Sequence, residues 1–131
     1  GSECSALVET IDIHGTILDL AGCPISNDKD CLSFMPLITG DASHLRDDVL
    51  AEVHAHYMLR SREWKIVIGR DGQTLQLFDL TSDPLEQRNL CGHPDYRQLE
   101  LEARSRMLTR ITADTYRPGT VDPERSSHTL R

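Results

Sequence analysis

The fold is decided by the stretch WKIVIGRDGQTLQLF, which occupies residues 64–78. Two β-prone runs, residues 64–68 and 74–78, flank a polar turn that contains the pair Asp71-Gly72. An Asp-Gly pair accepts the positive φ angles of a tight hairpin, so the two runs are predicted to pair as antiparallel strands. Two earlier β-prone runs, residues 49–56 and 57–61, extend this hairpin to a sheet of about four strands.

A long amphipathic helix is predicted after the sheet. Pro94 is a favoured first helical residue, and Asp95 places negative charge near the positive end of the helix dipole. Apolar side chains then recur every three or four residues over about 19 residues. These side chains are Tyr96, Leu99, Ala103, Met107 and Ile111. We expect this stripe to cover one face of the sheet.

Two short helices are predicted before the sheet. The first is capped by Thr10 or Asp12, ends at Gly22 and carries apolar residues at helical spacing, namely Ile13, Ile17, Leu18 and Ala21. The second lies within residues 32–38 and ends at Gly40. This order predicts an α+β fold, with an antiparallel sheet of about four strands packed against a long C-terminal helix.

Length and composition exclude several classes of protein. A chain of 131 residues can form one hydrophobic core, which we assign to residues 1–113, followed by an extended tail over residues 114–131. The net charge of −7, without a Lys/Arg cluster, argues against binding to nucleic acid or to an anionic membrane. No apolar run approaches the ~20 residues of a membrane span, and no feature fixes a cellular location.

The four cysteines do not predict a zinc site. They stand at positions 4, 23, 31 and 91, without paired spacing and without histidines at zinc-finger offsets. Cys23 and Cys31 are close enough in sequence to form a disulfide if the loop between them folds back. Free, partly buried thiols are the interpretation that we prefer.

Five phrases of the chain, in order, resemble one enzyme family. They are IDIHGTILDLAG at residues 11–22, SFMPLITG at 33–40, Arg46-Asp47, RSREWK at 60–65 and LFDLTSDPLEQRNL at 77–90. From about residue 6 to residue 111 the chain resembles the C-terminal part of the formylglycine-dependent sulfatases of the alkaline-phosphatase-like superfamily. It departs from the family pattern at Gly15, where proline is usual, at Cys31, where glycine is usual, and at Phe78, where tyrosine is common.

The resemblance implies a scaffold rather than a complete enzyme. Family members hydrolyse sulfate esters with a formylglycine made within a Cys/Ser-x-Pro-x-Arg motif and with a divalent ion, usually calcium. Neither the motif nor the metal-binding segments are found in this sequence, so calcium and formylglycine are expected only in a full-length parent and no catalytic residue is assigned here. The resemblance implies a smaller subdomain that packs beside a catalytic domain and contributes loops to the substrate pocket.

Two histidines are the candidate site residues. If residues 49–56 form one strand, then Glu52, His54 and His56 alternate along it and point to the same face of the sheet. Such a trio can bind a metal or transfer protons, or it can mark the solvated face of a half-buried sheet. By resemblance to sulfatases, whose corresponding strand ends near the substrate pocket, we assign His54 and His56 to contact with an anionic substrate and assign no metal ligand.

Other polar residues receive structural interpretations. Asp12 is interpreted as a helix cap, and Arg46-Asp47-Asp48 as a solvated turn before a strand. Trp64 is expected to anchor the core beside Phe78, although an exposed tryptophan can also stack on a sugar.

Three hypotheses follow for the whole chain. The first is the C-terminal subdomain of a sulfuric ester hydrolase that has no activity alone. The second is a stand-alone self-associating or ligand-binding module derived from a sulfatase, which we expect to form a homodimer through apolar surface that a neighbouring domain would cover. The third is a carbohydrate-binding module that uses Trp64, His54 and His56.

Overall fold

The computed structural model describes residues 3–25 and 30–115, without the side chains of residues 114 and 115. Residues 116–131, most of the predicted tail, lie outside the described residues. The elements in chain order are α1 (Asp12–Leu20), α2 (Met35–Thr39), β1 (Asp48–Val53), β2 (His56–Ser61), β3 (Trp64–Ile68), β4 (Thr74–Asp79), a 3₁₀ turn (Pro94–Tyr96) and α3 (Arg97–Thr115). The predicted α+β class is confirmed.

The four strands form one antiparallel meander in the order β1-β2-β3-β4. The predicted hairpin between β3 and β4 is present, with Ile66 opposite Leu77. In its turn only Gly72 takes a positive φ, of 78°, and its N–H donates to the carbonyl of Gly69 at 2.9 Å. The glycine of the Asp-Gly pair therefore supplies the left-handed residue that the hairpin needs.

The core lies between the sheet and α3. Its buried members are Leu59, Ile66, Leu77, Leu90, Ala103 and Met107, and Tyr96, Leu99 and Ile111 pack against them. The predicted stripe on the C-terminal helix is thus confirmed. The helix starts with a 3₁₀ turn, in which the His93 side chain accepts the Asp95 N–H at 3.3 Å. His93 thus caps the 3₁₀ turn, and Pro94 is the first residue of that turn.

Trp64 and Phe78 lie on opposite faces of the sheet, so the prediction that they pack side by side is wrong. Trp64 packs against the core on the α3 side, where Leu77 also points. Phe78 follows Leu77 directly, and successive side chains in a strand point to opposite faces. Phe78 is buried on the far face, with the Lys65 ammonium 5.7 Å from its ring centroid.

Helix α1 is present where it was predicted, but its apolar stripe faces outward. Ile13 and Ile17 are exposed, whereas Asp12, Gly15 and Thr16 are buried. The predicted cap at Thr10 or Asp12 is absent, because the N-cap residue is Ile11 and no side chain caps the helix. Within the described part of the chain, no helix has the length and apolar character to cross a membrane.

The second short helix agrees with the prediction. Helix α2 ends at Gly40, whose φ of 84° lies in the left-handed region that terminates helices. It contacts α1, so the two short helices pack together.

Candidate functional site

The two candidate histidines lie at the turn between β1 and β2, not within one strand. Strand β1 ends at Val53, β2 begins at His56, and His54 and Ala55 form the turn with φ angles of 50° and 64°. Two successive residues with positive φ are typical of the tightest hairpin turns, which usually employ asparagine or glycine. The predicted strand over residues 49–56 therefore runs three residues past the observed end of β1 at Val53.

This turn separates the three members of the predicted Glu-His-His trio. Glu52 lies opposite Tyr57, and Val53 lies opposite His56. Because opposed residues share a face and neighbours alternate, Glu52 and His56 point to opposite faces, while His54 belongs to the turn. The prediction that all three share one face is wrong. His54 and His56 do remain together at an exposed tip of the sheet.

The described residues bring no metal site together. Across residues 3–25 and 30–115, no three His, Cys, Asp or Glu side chains are grouped so that they could hold an ion. The four cysteines are free thiols, of which Cys31 is buried and Cys23 is exposed. Burial and the nearby charge of Glu100 raise the pKa of the Cys91 thiol, which disfavours its thiolate form.

A group of six charged side chains, whose carboxylates and Arg46 are buried or nearly so while Arg106 is exposed, was not foreseen from the sequence. We call it the charge cluster, and its members are Glu9, Asp12, Arg46, Asp48, Arg106 and Arg110. It contains three carboxylates and three guanidinium groups, so its formal charges balance. It joins the segment before α1 to β1 and α3.

Asp12 is the most buried member of the charge cluster. Its side chain is fully buried and accepts hydrogen bonds from the N–H groups of Glu9 and Leu32, each at 2.8 Å, while Arg46 holds both carboxylate oxygens in a bidentate pair. Burial alone would raise the pKa of Asp12, but the hydrogen bonds from Arg46, Leu32 and Glu9 outweigh it and hold the pKa below its ordinary value. The carboxylate is therefore a charged structural centre and not a helix cap.

The second half of the charge cluster surrounds Asp48. Arg106 Nε lies 2.5 Å from one Asp48 oxygen and Arg110 Nε lies 3.2 Å from the other. The hydrogen bond to Asp48 raises the pKa of Arg106. Arg110 also donates to Glu9 at 2.8 Å, and Glu9 pairs with Arg46 at 3.2 Å, which links the two halves. The interpretation of residues 46–48 as a solvated turn is wrong for Arg46 and Asp48.

The charge cluster is a scaffold rather than an anion site. Inside it each guanidinium group faces a carboxylate, so the charge cluster offers no net positive charge to a sulfate. Its sequence signal was weak, because the partners are 34 to 101 residues apart. The one sequence feature that indicates the charge cluster is the pair Arg106 and Arg110. These residues lie four positions apart on α3, on either side of the buried Met107 in the sequence.

A surface cleft of about 420 Å³ lies beside the charge cluster. Trp64, His44 and Arg62 are among its lining residues. Trp64 lies next to Ser61, whose hydroxyl accepts the backbone N–H of Trp64 at 3.0 Å. Ser61 is the last residue of β2, and His56 is its first. Five strand residues separate His56 from Ser61 by roughly 16 Å, so Trp64 and the two histidines do not form one sugar-binding surface.

Comparison with known proteins agrees with this architecture. The sequence model of the family described as N-sulphoglucosamine sulphohydrolase, C-terminal, matches residues 1–113. Arylsulfatase K of Danio rerio is 36% identical over 111 residues, which cover 75% of this chain and 21% of that protein. Delta 4,5-hexuronate-2-O-sulfatase of Bacteroides thetaiotaomicron is 30% identical over 133 aligned residues, covering 92% of this chain and 28% of that protein.

A solved structure supports the same relationship. The crystal structure of a putative sulfatase from Bacteroides thetaiotaomicron matches with a TM-score of 0.68 at 26% identity, covering 92% of this chain and 26% of that chain. The present chain thus spans 21% to 28% of the length of these proteins. Since the family match extends over most of its residues and the fold agrees, this chain belongs to the N-sulphoglucosamine sulphohydrolase C-terminal family of sulfatase domains.

Proposed function

We propose that this chain acts as the C-terminal subdomain of a sulfuric ester hydrolase, where it completes the substrate pocket without catalysing the reaction alone. One observation carries the proposal. The chain matches the C-terminal family over residues 1–113, yet its 131 residues contain no Cys/Ser-x-Pro-x-Arg motif for the nucleophile. Without an activated nucleophile, ester hydrolysis lacks its main source of rate acceleration.

The residues of this chain do not fit the cofactors that its resemblance to sulfatases implies. Formylglycine requires the missing motif, and in residues 3–25 and 30–115 no group of three acidic, histidine or cysteine side chains is placed to hold calcium. We therefore assign both groups to the remainder of a full-length enzyme, which is the partner that this subdomain would support.

The turn between β1 and β2 is the part that we assign to the pocket. His54 and Ala55 hold left-handed φ angles without being glycine, and such strained positions persist mainly where surrounding structure or function requires them. His54 and His56 are exposed at this tip, and an imidazole N–H can donate to a sulfate oxygen. We assign both histidines to contact with the anionic substrate.

The catalytic part of the proposal is tested by direct assay. The purified 131-residue chain is incubated with an aryl sulfate and calcium, and sulfate release is measured. We expect no turnover, because the chain supplies neither a nucleophile nor a metal-bound attacking group. Metal-dependent turnover that survives repurification would overturn the proposal.

The pocket assignment is tested in a hybrid enzyme. This chain replaces the matched C-terminal region of the Bacteroides Delta 4,5-hexuronate-2-O-sulfatase, and kcat and KM are measured. We expect His54→Ala and His56→Ala to raise KM by about tenfold, because each removes a hydrogen bond to a charged group. His44→Ala, at an exposed position in the loop before β1, is the matched control and should leave KM unchanged. Equal KM values for all three variants would contradict the assignment.

One observation favours the second candidate function, a self-associating module derived from a sulfatase. Ile13, Ile17 and Leu20 are exposed on α1, and apolar rows of this kind commonly drive association. A homodimer would cover them. Light scattering that shows a monomer at high concentration would remove this candidate.

A further inference from the structure

The outward side of α1 carries a row of large apolar side chains. Ile13, Ile17 and Leu20 follow one another at spacings of four and three residues, so they share one face of the helix. They are 50%, 58% and 65% exposed. We call this row the outer face of α1.

Helix α1 cannot turn its outer face inward, because hydrogen bonds fix its polar side. The hydroxyl of Thr16 accepts the Phe34 N–H at 3.0 Å and donates to the Asp12 carbonyl at 2.7 Å. The Asp12 carboxylate is held by Arg46 and by the Leu32 N–H. Rotation of the helix would break these contacts and leave Arg46 in a buried place without Asp12, which is strongly unfavourable.

Close packing fixes α1 in the same orientation. A Cβ atom placed on Gly15 would lie 3.1 Å from the backbone carbonyl carbon and oxygen of Leu32 and 3.2 Å from the Cys31 sulfur. The helix therefore approaches this segment so closely that a side chain at position 15 would push the neighbouring backbone away by a few tenths of an ångström. Its apolar row can be covered only by something outside the described fold.

The length of the related proteins indicates what covers the outer face of α1. The match to arylsulfatase K takes up 21% of that protein, and the family is a C-terminal one, so most of a relative's chain precedes the matched region. We infer that the outer face of α1 docks on this preceding segment of a full-length sulfatase and forms the seam between the two parts. The inference rests on the proposed function and adds to it the surface by which the subdomain is held.

The test compares the effect of the same substitutions in two proteins. The triple variant Ile13→Ser, Ile17→Ser, Leu20→Ser is made in the 131-residue chain and in the hybrid with the Bacteroides sulfatase. The matched control is Leu101→Ser with Leu108→Ser on α3, whose side chains are 55% and 64% exposed. The Tm of each protein is measured, together with the oligomeric state of the 131-residue chain and sulfate release by the hybrid.

The expected result is specific to the hybrid. The triple variant should lower the Tm of the hybrid by about 5 °C or more and that of the 131-residue chain by less than about 2 °C, while the control changes neither. Equal effects of triple variant and control in the hybrid would overturn the inference, as would a large loss of Tm in the 131-residue chain. A homodimer of the 131-residue chain that the triple variant dissociates would also overturn it, since a second copy would then be the occupant.

The same experiment separates this inference from the proposed function. A hybrid that folds but releases no sulfate contradicts the proposed function, while its Tm values still decide whether the outer face of α1 is covered. A hybrid that releases sulfate equally well and melts at the same temperature with and without the triple variant contradicts the inference alone. A hybrid that does not fold contradicts both.

Discussion

Helices α1 and α3 carry the same kind of apolar periodicity and use it in opposite ways. On α3 the stripe faces the sheet, and Ala103 and Met107 are buried. On α1 the stripe faces outward, and the polar residues Asp12 and Thr16 are buried instead. A helical pattern therefore establishes that two different faces exist, but the partners available in the fold decide which of them is buried.

The two helices consequently depend on different forces. Helix α3 is held mainly by the removal of apolar surface from water, which is worth roughly 25 cal/mol per Å². The segment around α1 is held by the charge cluster, in which Asp12 and Arg46 form a buried pair. A buried ion pair costs much of its attraction in desolvation, but the loss of one partner is strongly destabilising. Substitutions in the two regions should therefore destabilise the fold for different reasons.

The largest expected effect is that of Arg46→Met. The change leaves the buried Asp12 without its cation, and we expect it to lower the free energy of unfolding by about 3–5 kcal/mol in urea titrations. Arg60→Met is the control, since Arg60 is half exposed and pairs with Glu86 at 3.5 Å, a contact worth less than about 1 kcal/mol. Similar losses for the two variants would show that the charge cluster does not hold α1.

The next effect compares the two apolar stripes directly. Met107→Ala, on the buried stripe of α3, should lower the free energy of unfolding by about 2–4 kcal/mol through lost burial and a new cavity. Ile17→Ala, on the exposed stripe of α1, should change it by less than about 0.5 kcal/mol in the same chain. Chemical denaturation of both variants measures the difference. A loss of more than 2 kcal/mol for Ile17→Ala would mean that this chain covers its own outer face.

The smallest effect concerns pH. Because the folded pKa of Asp12 lies below its ordinary value of 3.8, the stabilisation from its ionised form is complete above that value and is lost as the pH falls through the folded pKa. We expect the urea midpoint of the unmodified chain to decrease as the pH is lowered from about 5 to about 2, and that of Asp12→Asn to decrease less. Identical pH profiles for the two proteins would show that Asp12 is not held by Arg46 in solution.

The sheet and α3 could be predicted because their signals are local. The β3–β4 hairpin follows from a Gly72 turn between two β-prone runs, and α3 follows from a stripe repeated over five positions. The candidate site was predicted less well. A two-residue shift of the β1–β2 turn separated Glu52 from His56, because His54 and Ala55 adopt left-handed angles that single-residue preferences do not indicate.

The sequence by itself determined the α+β class, the four strands, the long helix and the sulfatase family, since each depends on residue patterns that are short or have a fixed order. The tertiary structure alone decided which face of α1 is buried and that Asp12, Arg46 and Asp48 are internal. Their partners are distant in sequence, and the balance between desolvation of a charge and its attraction to a partner exists only once the chain has folded.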